Sequence, residues 1–163
     1  CKYVGIDVSN DSLNIAKNRC LHNCQFELYD GKHIPYDNNT FDVVFMACVM
    51  HHIDERQRVM MLEEIKRVLK VNGKLVIFEH NPYNPITCKL VKDCVFDEDA
   101  ILISANNLKH ILNKAGFLEK KIIKYTIFFP RKSIFNKCLS LESKLYWCPL
   151  GGQYYCIVEK NKC

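Results

Sequence analysis

Apolar residues form short, nearly uninterrupted runs along this chain, and a polar turn follows most of them. Runs of this kind predict strands that are buried on both faces of a sheet. The predicted strands are residues 2–7, 24–29, 41–47 and 75–78. Residues 122–129 and 153–158 predict two final strands, which we interpret as an antiparallel pair.

Amphipathic helices are predicted between these strands. Ser9 and Ser104 are suitable N-caps for two of them. Another helix is expected to begin near Asp54, to carry apolar residues at helical spacing as far as Leu69, and to stop at Asn72–Gly73. Strands that alternate with helices favour an α/β fold with a mostly parallel sheet.

Composition narrows the class of protein. The 163 residues fit a single domain over residues 1–163, and 48% apolar and 25% charged residues are typical of a globular protein. No apolar run reaches the roughly 18 residues of a membrane span. The net charge of +5 includes basic patches at residues 120–124 and at Arg131–Lys132. A solvated face explains these patches better than phosphate binding, and no aromatic-interleaved basic stripe indicates a nucleic-acid partner.

Ten cysteines are present, and none of them forms a C-x-x-C pair. This spacing does not favour a zinc site, so we predict no metal. Reduced structural thiols are favoured over disulfides or metal ligands, and the predicted location is cytoplasmic.

Polar or small residues follow three of the predicted strands: Asp7, Asp30–Gly31 and Ala47–Cys48. Ligands of open α/β sheets bind at the carboxyl ends of the strands. Asp7 suits the two hydroxyls of a ribose, Asp30 can accept from an exocyclic amine, and the Gly31 N–H can donate to a ring nitrogen. The set predicts an adenosine site, although an aspartate after a strand is also a common turn residue.

Asp7 has only six residues before it. In nucleotide-binding sheets, such an acid follows a glycine-rich turn by about twenty positions. We therefore expect that turn to lie outside this sequence. The sequence begins with Cys1 rather than Met, and we expect it to be truncated at its amino end.

Five segments together resemble one known family. They read VGIDVS, IPYDNNTFDVV, VMHHI, IKRVLKVNGKLVI and LNKAGF, at residues 4–9, 34–44, 49–53, 65–77 and 112–117. This combination resembles the class I S-adenosylmethionine-dependent methyltransferases, in particular the small-molecule methyltransferases. The resemblance implies a Rossmann-like sheet whose first strand and helix are missing here. That strand lies between those ending at Asp7 and Ala47, so a gap in the ladder is expected.

The resemblance also implies the cofactor, S-adenosylmethionine, and its contacts. Asp7 would hold the ribose, Asp30 the adenine amine and Gly31 the adenine ring, while Ala47 and Cys48 would border the methionine part. The implied cofactor-binding set is Asp7, Val8, Asp30, Gly31, Ala47 and Cys48.

The implied reaction is in-line methyl transfer to an oxygen or nitrogen of a small-molecule acceptor. An acceptor that must lose a proton needs a base. His51, His52 and His80 are the catalytic candidates, with Glu79 beside them, because they follow predicted strands on the expected cofactor edge. A helix cap is the structural alternative for either histidine of the His51–His52 pair.

The acceptor itself is not defined by the sequence. Residues 81–96 and 128–155 are expected to shape its pocket, and Tyr83, Tyr154 and Tyr155 are either its walls or core residues. The alternative function is a degenerate scaffold that keeps the fold without binding cofactor. A nicotinamide-dependent dehydrogenase is disfavoured, because it leaves Asp30 and the His51–His52 pair unexplained.

Overall fold

The structure of the protein is a computed structural model that describes residues 1–19, 21–129 and 136–161. The predicted basic patch at Arg131–Lys132 lies outside these residues, as do Cys20 and Cys163. The other eight cysteines carry free thiols. The chain divides into two compact units, residues 1–37 and 38–163.

The first unit is a β–α–β motif. Its elements are β1 (Tyr3–Asp7), α1 (Asn10–Asn18) and β2 (Cys24–Leu28). The two strands are parallel and in register from one end to the other. Ser9 caps α1 by accepting a hydrogen bond from the backbone N–H of Ser12 at 3.3 Å, which confirms the predicted N-cap.

The second unit contains a mixed four-stranded sheet. Its strands are β3 (Phe41–Ala47), β4 (Leu69–His80), β5 (Ile122–Thr126) and β6 (Gln153–Glu159), in the order β3-β4-β6-β5. β3 is parallel to β4, whereas β6 is antiparallel to both β4 and β5. The predicted α/β class and the final antiparallel pair are therefore confirmed.

Helices and short 3₁₀ turns connect these strands. The helices are α2 (Arg58–Val68), α3 (Pro85–Lys92), α4 (Ala105–Lys114) and α5 (Asn136–Leu139), and the 3₁₀ turns are Met50–His52, Val95–Asp97 and Glu142–Lys144. The core lies where α2 and α4 face the sheet, and its fully buried side chains include Leu62, Ile65, Leu75, Ile77, Leu108 and Leu112. In the described residues, none of the helices has the length and apolar character that crossing a membrane requires.

The described strands form two separate hydrogen-bonded sheets, one in each unit. Within the described residues, β1 pairs with β2 and β3 pairs with β4, and the two pairs belong to different sheets. The missing strand between them stays a prediction from the resemblance.

The prediction that Asn72–Gly73 stops a helix was wrong. The helix ends at Val68, and β4 begins at the next residue. Asn72 does adopt a left-handed conformation, with φ of 63°, but it does so inside an irregular stretch of β4. Gly73 is needed there for close approach, because a Cβ would lie 2.8 Å from the Lys70 carbonyl oxygen.

The preceding helix also begins later than predicted. Asp54 forms a turn, in which its carboxylate accepts the Arg56 N–H at 2.8 Å and its carbonyl accepts the N–H groups of Gln57 and Arg58. Helical geometry starts only at Arg58. The acid near position 54 marks the turn before the helix rather than its first residue.

Successive tyrosines of β6 point to opposite faces of the sheet. Tyr154 is fully buried, and its hydroxyl donates a hydrogen bond to the Ile103 carbonyl at 2.8 Å. Tyr155 stacks on Phe78 at 5.0 Å between ring centroids. Tyr154 is therefore a core residue rather than a wall of the acceptor pocket.

Replacing Tyr154 by Phe is expected to lower the free energy of unfolding by about 1–3 kcal/mol, because a buried carbonyl loses its partner. The matched control is Tyr155→Phe, one residue along the same strand, which should stay within about 0.5 kcal/mol of the parent. Urea unfolding followed by circular dichroism measures both. Equal stabilities for the two variants would contradict the role of the Tyr154 hydroxyl.

Candidate functional site

Four of the predicted cofactor residues meet at one edge of the first unit. Asp7 ends β1, and Val8 follows it. Asp30 and Gly31 follow β2 directly, in a parallel pair whose last register partners are Asp7 and Leu28. A Cβ added to Gly31, whose φ is 76°, would lie 3.3 Å from Val8 Cγ1. The loops after the two strands therefore approach each other closely.

Both aspartates also organise the turns in which they lie. Asp7 Oδ1 accepts the Ser9 N–H at 2.8 Å, and Asp30 Oδ1 accepts the N–H groups of Lys32 and His33, each at 2.8 Å. The backbone N–H groups of His33 and Lys32 are the main reason that the pKa of Asp30 is lowered. A carboxylate offers about four acceptor positions on two oxygens, so these turns leave capacity for a ligand.

Tyr29 links the two carboxylates electrostatically. Burial raises the pKa of its phenol, and the negative charges of Asp7 and then Asp30 raise it further. Both carboxylates are thus near enough to one side chain to act on it. The two carboxylates therefore both lie on the Tyr29 side of this edge.

In the second unit, the remaining cofactor candidates lie at the carboxyl end of β3. Ala47 is its last residue, and Cys48 turns the chain with φ of 55° while its N–H donates to the Phe78 carbonyl at 2.9 Å. The side-chain nitrogen of Gln153 lies 3.7 Å from Cys48 Sγ and 3.4 Å from His80 Nδ1. The ends of β3 and β4 and the start of β6 therefore meet here.

Glu79 is a fully buried acid at the centre of this region. Its Oε1 accepts the Met50 N–H at 2.8 Å, and its Oε2 lies 2.6 Å from Nδ1 of His51, which is also fully buried. A buried carboxylate is retained at acceptable cost only when it is paired and hydrogen-bonded. Glu79 meets that condition with both oxygens.

Asp97 completes a group that we call the histidine cluster. Its Oδ1 lies 3.5 Å from His51 Nε2 and 3.3 Å from His52 Nε2. The rings of His51 and His52 are 4.2 Å apart, and those of His51 and His80 are 5.3 Å apart, between centroids. The histidine cluster consists of His51, His52, His80, Glu79 and Asp97.

The charges of the cluster shift several pKa values. Burial lowers the pKa of His51, but Glu79 and Asp97 outweigh it, and the net shift is upward. Burial and the neighbouring His51 lower the pKa of His80. Burial, with Glu79 and Asp97, raises the pKa of Cys48 to about 11. Cys48 is therefore a protonated thiol near neutral pH, not an activated nucleophile.

Arg58 fixes the 3₁₀ turn that carries the two histidines. This arginine is buried, and its Nε donates to the carbonyls of Met50 and Ile53 at 3.1 and 2.9 Å. Its Nη2 donates to the Ile101 carbonyl at 3.0 Å, and the Ile101 N–H donates back to the His51 carbonyl at 2.9 Å. The turn is therefore tied to the segment that follows Asp97.

Sequence reasoning brought His51, His52, Glu79 and His80 together correctly but missed Asp97. It lies 45 positions after His52, within an acidic stretch that carries no motif. Nor did the sequence distinguish Arg58 from the exposed Arg56 two positions earlier. Their roles depend on contacts between distant segments.

Sequence comparisons match this chain to methyltransferases. Residues 1–73 match a family model described as a methyltransferase domain. Methyltransferase GfsG of Streptomyces halstedii is 31% identical over 121 residues, covering 71% of this chain and 42% of that protein. The demethylmenaquinone methyltransferase of Lactobacillus johnsonii is 30% identical over 150 residues, covering 76% and 61%. The chain thus spans less than two thirds of either relative.

The fold agrees with these matches. A Thermotoga maritima structure, described as a methyltransferase dependent on S-adenosylmethionine and possible histamine N-methyltransferase, has a TM-score of 0.74 at 18% identity, covering 98% of this chain and 73% of its own. Phosphoethanolamine N-methyltransferase 2 of Haemonchus contortus was solved with S-adenosylmethionine. Its TM-score is 0.65 at 17% identity, and the match covers 98% of the present chain and 43% of that protein. Together these matches support a class I S-adenosylmethionine-dependent methyltransferase, a family whose cofactor is S-adenosylmethionine.

Arg58→Met is expected to lower the free energy of unfolding by about 2–5 kcal/mol, because it removes the donors of three carbonyls while keeping most of the side-chain volume. The matched control, Arg56→Met, alters an exposed arginine two residues away and should change stability by less than about 0.5 kcal/mol. Urea denaturation of both variants is the measurement. A loss below 1 kcal/mol for Arg58→Met would show that the turn does not need the guanidinium.

Proposed function

We propose that this protein transfers a methyl group from S-adenosylmethionine to an oxygen or nitrogen of a small-molecule acceptor. The observation that carries the proposal is the approach of the two strand-end loops in the first unit, where Asp7, Asp30 and Gly31 stand in the order that an adenosine needs. The family assignment supplies the cofactor. That residues 1–163 form one domain with a cytoplasmic location stays a prediction.

The proposed cofactor contacts follow from hydrogen-bonding chemistry. The Asp7 carboxylate accepts from the ribose hydroxyls, and Asp30 accepts from the adenine amine. Gly31 brings its backbone N–H to the adenine ring, since it has no side chain to hold the ring away. Val8 packs beside it, while Ala47 and Cys48 border the methionine part. These roles come from the resemblance and are compatible with the turns in which the residues lie.

His80 is the histidine that we propose as the base. His51 is fully buried with Nδ1 engaged by Glu79, and His52 faces Asp97. His80 is only half-buried, and it shares Gln153 with Cys48. That contact places the His80 imidazole beside one of the residues proposed to border the methyl donor. Its role is to accept the proton that an O–H or N–H acceptor releases as the methyl group arrives.

The rest of the catalysis is alignment. The reactivity resides in the sulfonium of the cofactor, so the protein has to hold donor and acceptor in line and exclude water. The names of the relatives include quinone and amine methyltransferases, and those acceptors are small molecules. We propose an acceptor of this general size for the present protein.

Asp7→Asn tests the cofactor assignment. The amide can still accept the Ser9 N–H, but it lacks the charge that strengthens hydrogen bonds from the ribose. The dissociation constant for S-adenosylmethionine is expected to rise roughly 5- to 100-fold, which corresponds to about 1–3 kcal/mol. Isothermal titration calorimetry measures this constant.

The matched control is Asp11→Asn, which removes the same charge from the first turn of α1 without altering the predicted contacts. It should bind as tightly as the parent. Equal affinities for Asp7→Asn and the parent would refute the ribose assignment. A parent protein that releases no heat with S-adenosylmethionine would favour the degenerate-scaffold alternative.

His80→Asn tests the base. The turnover number is expected to fall roughly 10²- to 10⁴-fold, as for loss of a general base, while the dissociation constant of the cofactor stays within about twofold. The assay follows transfer of labelled methyl groups into a metabolite extract, and then into the purified acceptor. His110→Asn, on the exposed side of α4, serves as control. A variant with parental turnover would exclude His80 as the base.

A further inference from the structure

One nitrogen of the histidine cluster has no hydrogen-bond partner. His51 is fully buried, and its Nδ1 is occupied by Glu79. Among the described residues its Nε2 forms no hydrogen bond, and the Asp97 carboxylate lies only at ion-pair distance, 3.5 Å away. A buried polar atom without a partner carries a desolvation cost of about 1–3 kcal/mol that some compensating ligand normally offsets. This nitrogen is directed at the space that His52 and Asp97 also face.

The atoms around that space have the separations of metal ligands. Asp97 Oδ1 lies 3.5 Å from His51 Nε2 and 3.3 Å from His52 Nε2, and the ligand atoms of the three residues all lie within 4.8 Å of one another. Bonds of about 2.0–2.2 Å to a tetrahedral zinc ion place neighbouring ligand atoms roughly 3.3–3.6 Å apart. Both measured nitrogen–oxygen distances fall in that range. His52 is partly exposed, so its ring has room to adjust.

A buried acid already orients the innermost of these ligands. Glu79 Oε2 lies 2.6 Å from His51 Nδ1, and its Oε1 is fixed by the Met50 N–H. Histidines that bind metals commonly donate their other ring N–H to a carboxylate, which fixes the tautomer and raises the basicity of the ligating nitrogen. In the neutral tautomer that donates its Nδ1 proton to Glu79, the Nε2 lone pair of His51 is available to a metal ion.

We propose that His51 Nε2, His52 Nε2 and Asp97 Oδ1 bind one divalent transition-metal ion, with Zn²⁺ as the preferred ion. Two imidazoles and one carboxylate form a donor set suited to zinc and leave a fourth position for water. The sequence prediction of no metal rested on the spacing of the cysteines, and none of the three proposed ligands is a cysteine.

Cobalt(II) substitution tests the proposal with a readout that is independent of methyl transfer. The purified chain, freed of metal by a chelator, is titrated with Co²⁺ and then with Zn²⁺. We expect one equivalent of Co²⁺ to give the visible absorption of a tetrahedral nitrogen–oxygen site, without the near-ultraviolet band of sulfur-to-cobalt charge transfer. Zn²⁺ should displace it. The absence of the sulfur band separates this site from adventitious binding to the free cysteines.

Variants then assign the ligands. His52→Ala alters a partly exposed ring and is expected to weaken metal binding at least tenfold without unfolding the protein, as circular dichroism would show. Glu79→Gln should weaken it roughly 10- to 100-fold, the scale for loss of a carboxylate behind a ligating histidine. His110→Ala lies outside the cluster and should bind as the parent does.

Three results would overturn the proposal: no stoichiometric uptake of Co²⁺ or Zn²⁺ by the parent, a spectrum dominated by sulfur charge transfer, or parental affinity in His52→Ala. In the first case the cluster is an ion-pair network in which both histidines share Asp97. In the second, cysteines bind the ion.

Discussion

The buried carboxylate of Glu79 is the interaction on which the second unit depends. One oxygen binds the backbone N–H of Met50, and the other binds the ring of His51, so a single side chain joins the end of β4 to the turn after β3. A buried charge of this kind is tolerated only because both oxygens are satisfied. The position of the histidine cluster follows from that requirement.

Arg58 stabilises the same turn from its other side. Its guanidinium binds carbonyls on both sides of the two histidines and a third in the segment after Asp97. Glu79 therefore engages the N–H and imidazole groups of the turn, whereas Arg58 engages its carbonyls. Two buried residues of opposite charge, which no direct contact joins in the described structure, thus hold the turn between them. The positions of the cluster's side chains depend on both sets of contacts.

β4 provides the scaffold for these contacts. It pairs in parallel with β3 and antiparallel with β6, so both of its edges are satisfied and its last residues sit between two neighbouring strands. Glu79 pairs with Tyr154, and His80 with Gln153. A central strand of this kind brings together residues from positions 48, 80 and 153, which are distant in sequence.

The first unit is organised by contacts between residues that are close in sequence. β1 and β2 are parallel and adjacent, and the helix between them is the crossover connection that a parallel pair requires. The two strand-end aspartates each fold the following loop onto their own carboxylate. Local hydrogen bonds therefore create the edge at which Val8 and Gly31 meet, before any ligand is considered.

The sequence by itself determined the features that depend on neighbouring residues. The apolar runs located the strands, Ser9 and Ser104 marked helix starts, and the family motifs identified the cofactor, because strand burial, capping and motif spacing are local in origin. Asn72 shows the limit of that reasoning. The sequence marked Asn72–Gly73 as an interruption, but whether it ends a helix or interrupts a strand depends on pairing with β3, which no local pattern encodes.

Only the tertiary structure decided which polar side chains meet. Asp97 joins His51 and His52 through a fold that brings a 3₁₀ turn against another one 45 residues away, and Arg58 differs from Arg56 solely in what packs around it. Burial also distinguishes Tyr154, which is fully buried, from the partly exposed Tyr155. Contacts between distant segments arise from packing of the whole chain, so the sequence named the candidates and the fold selected among them.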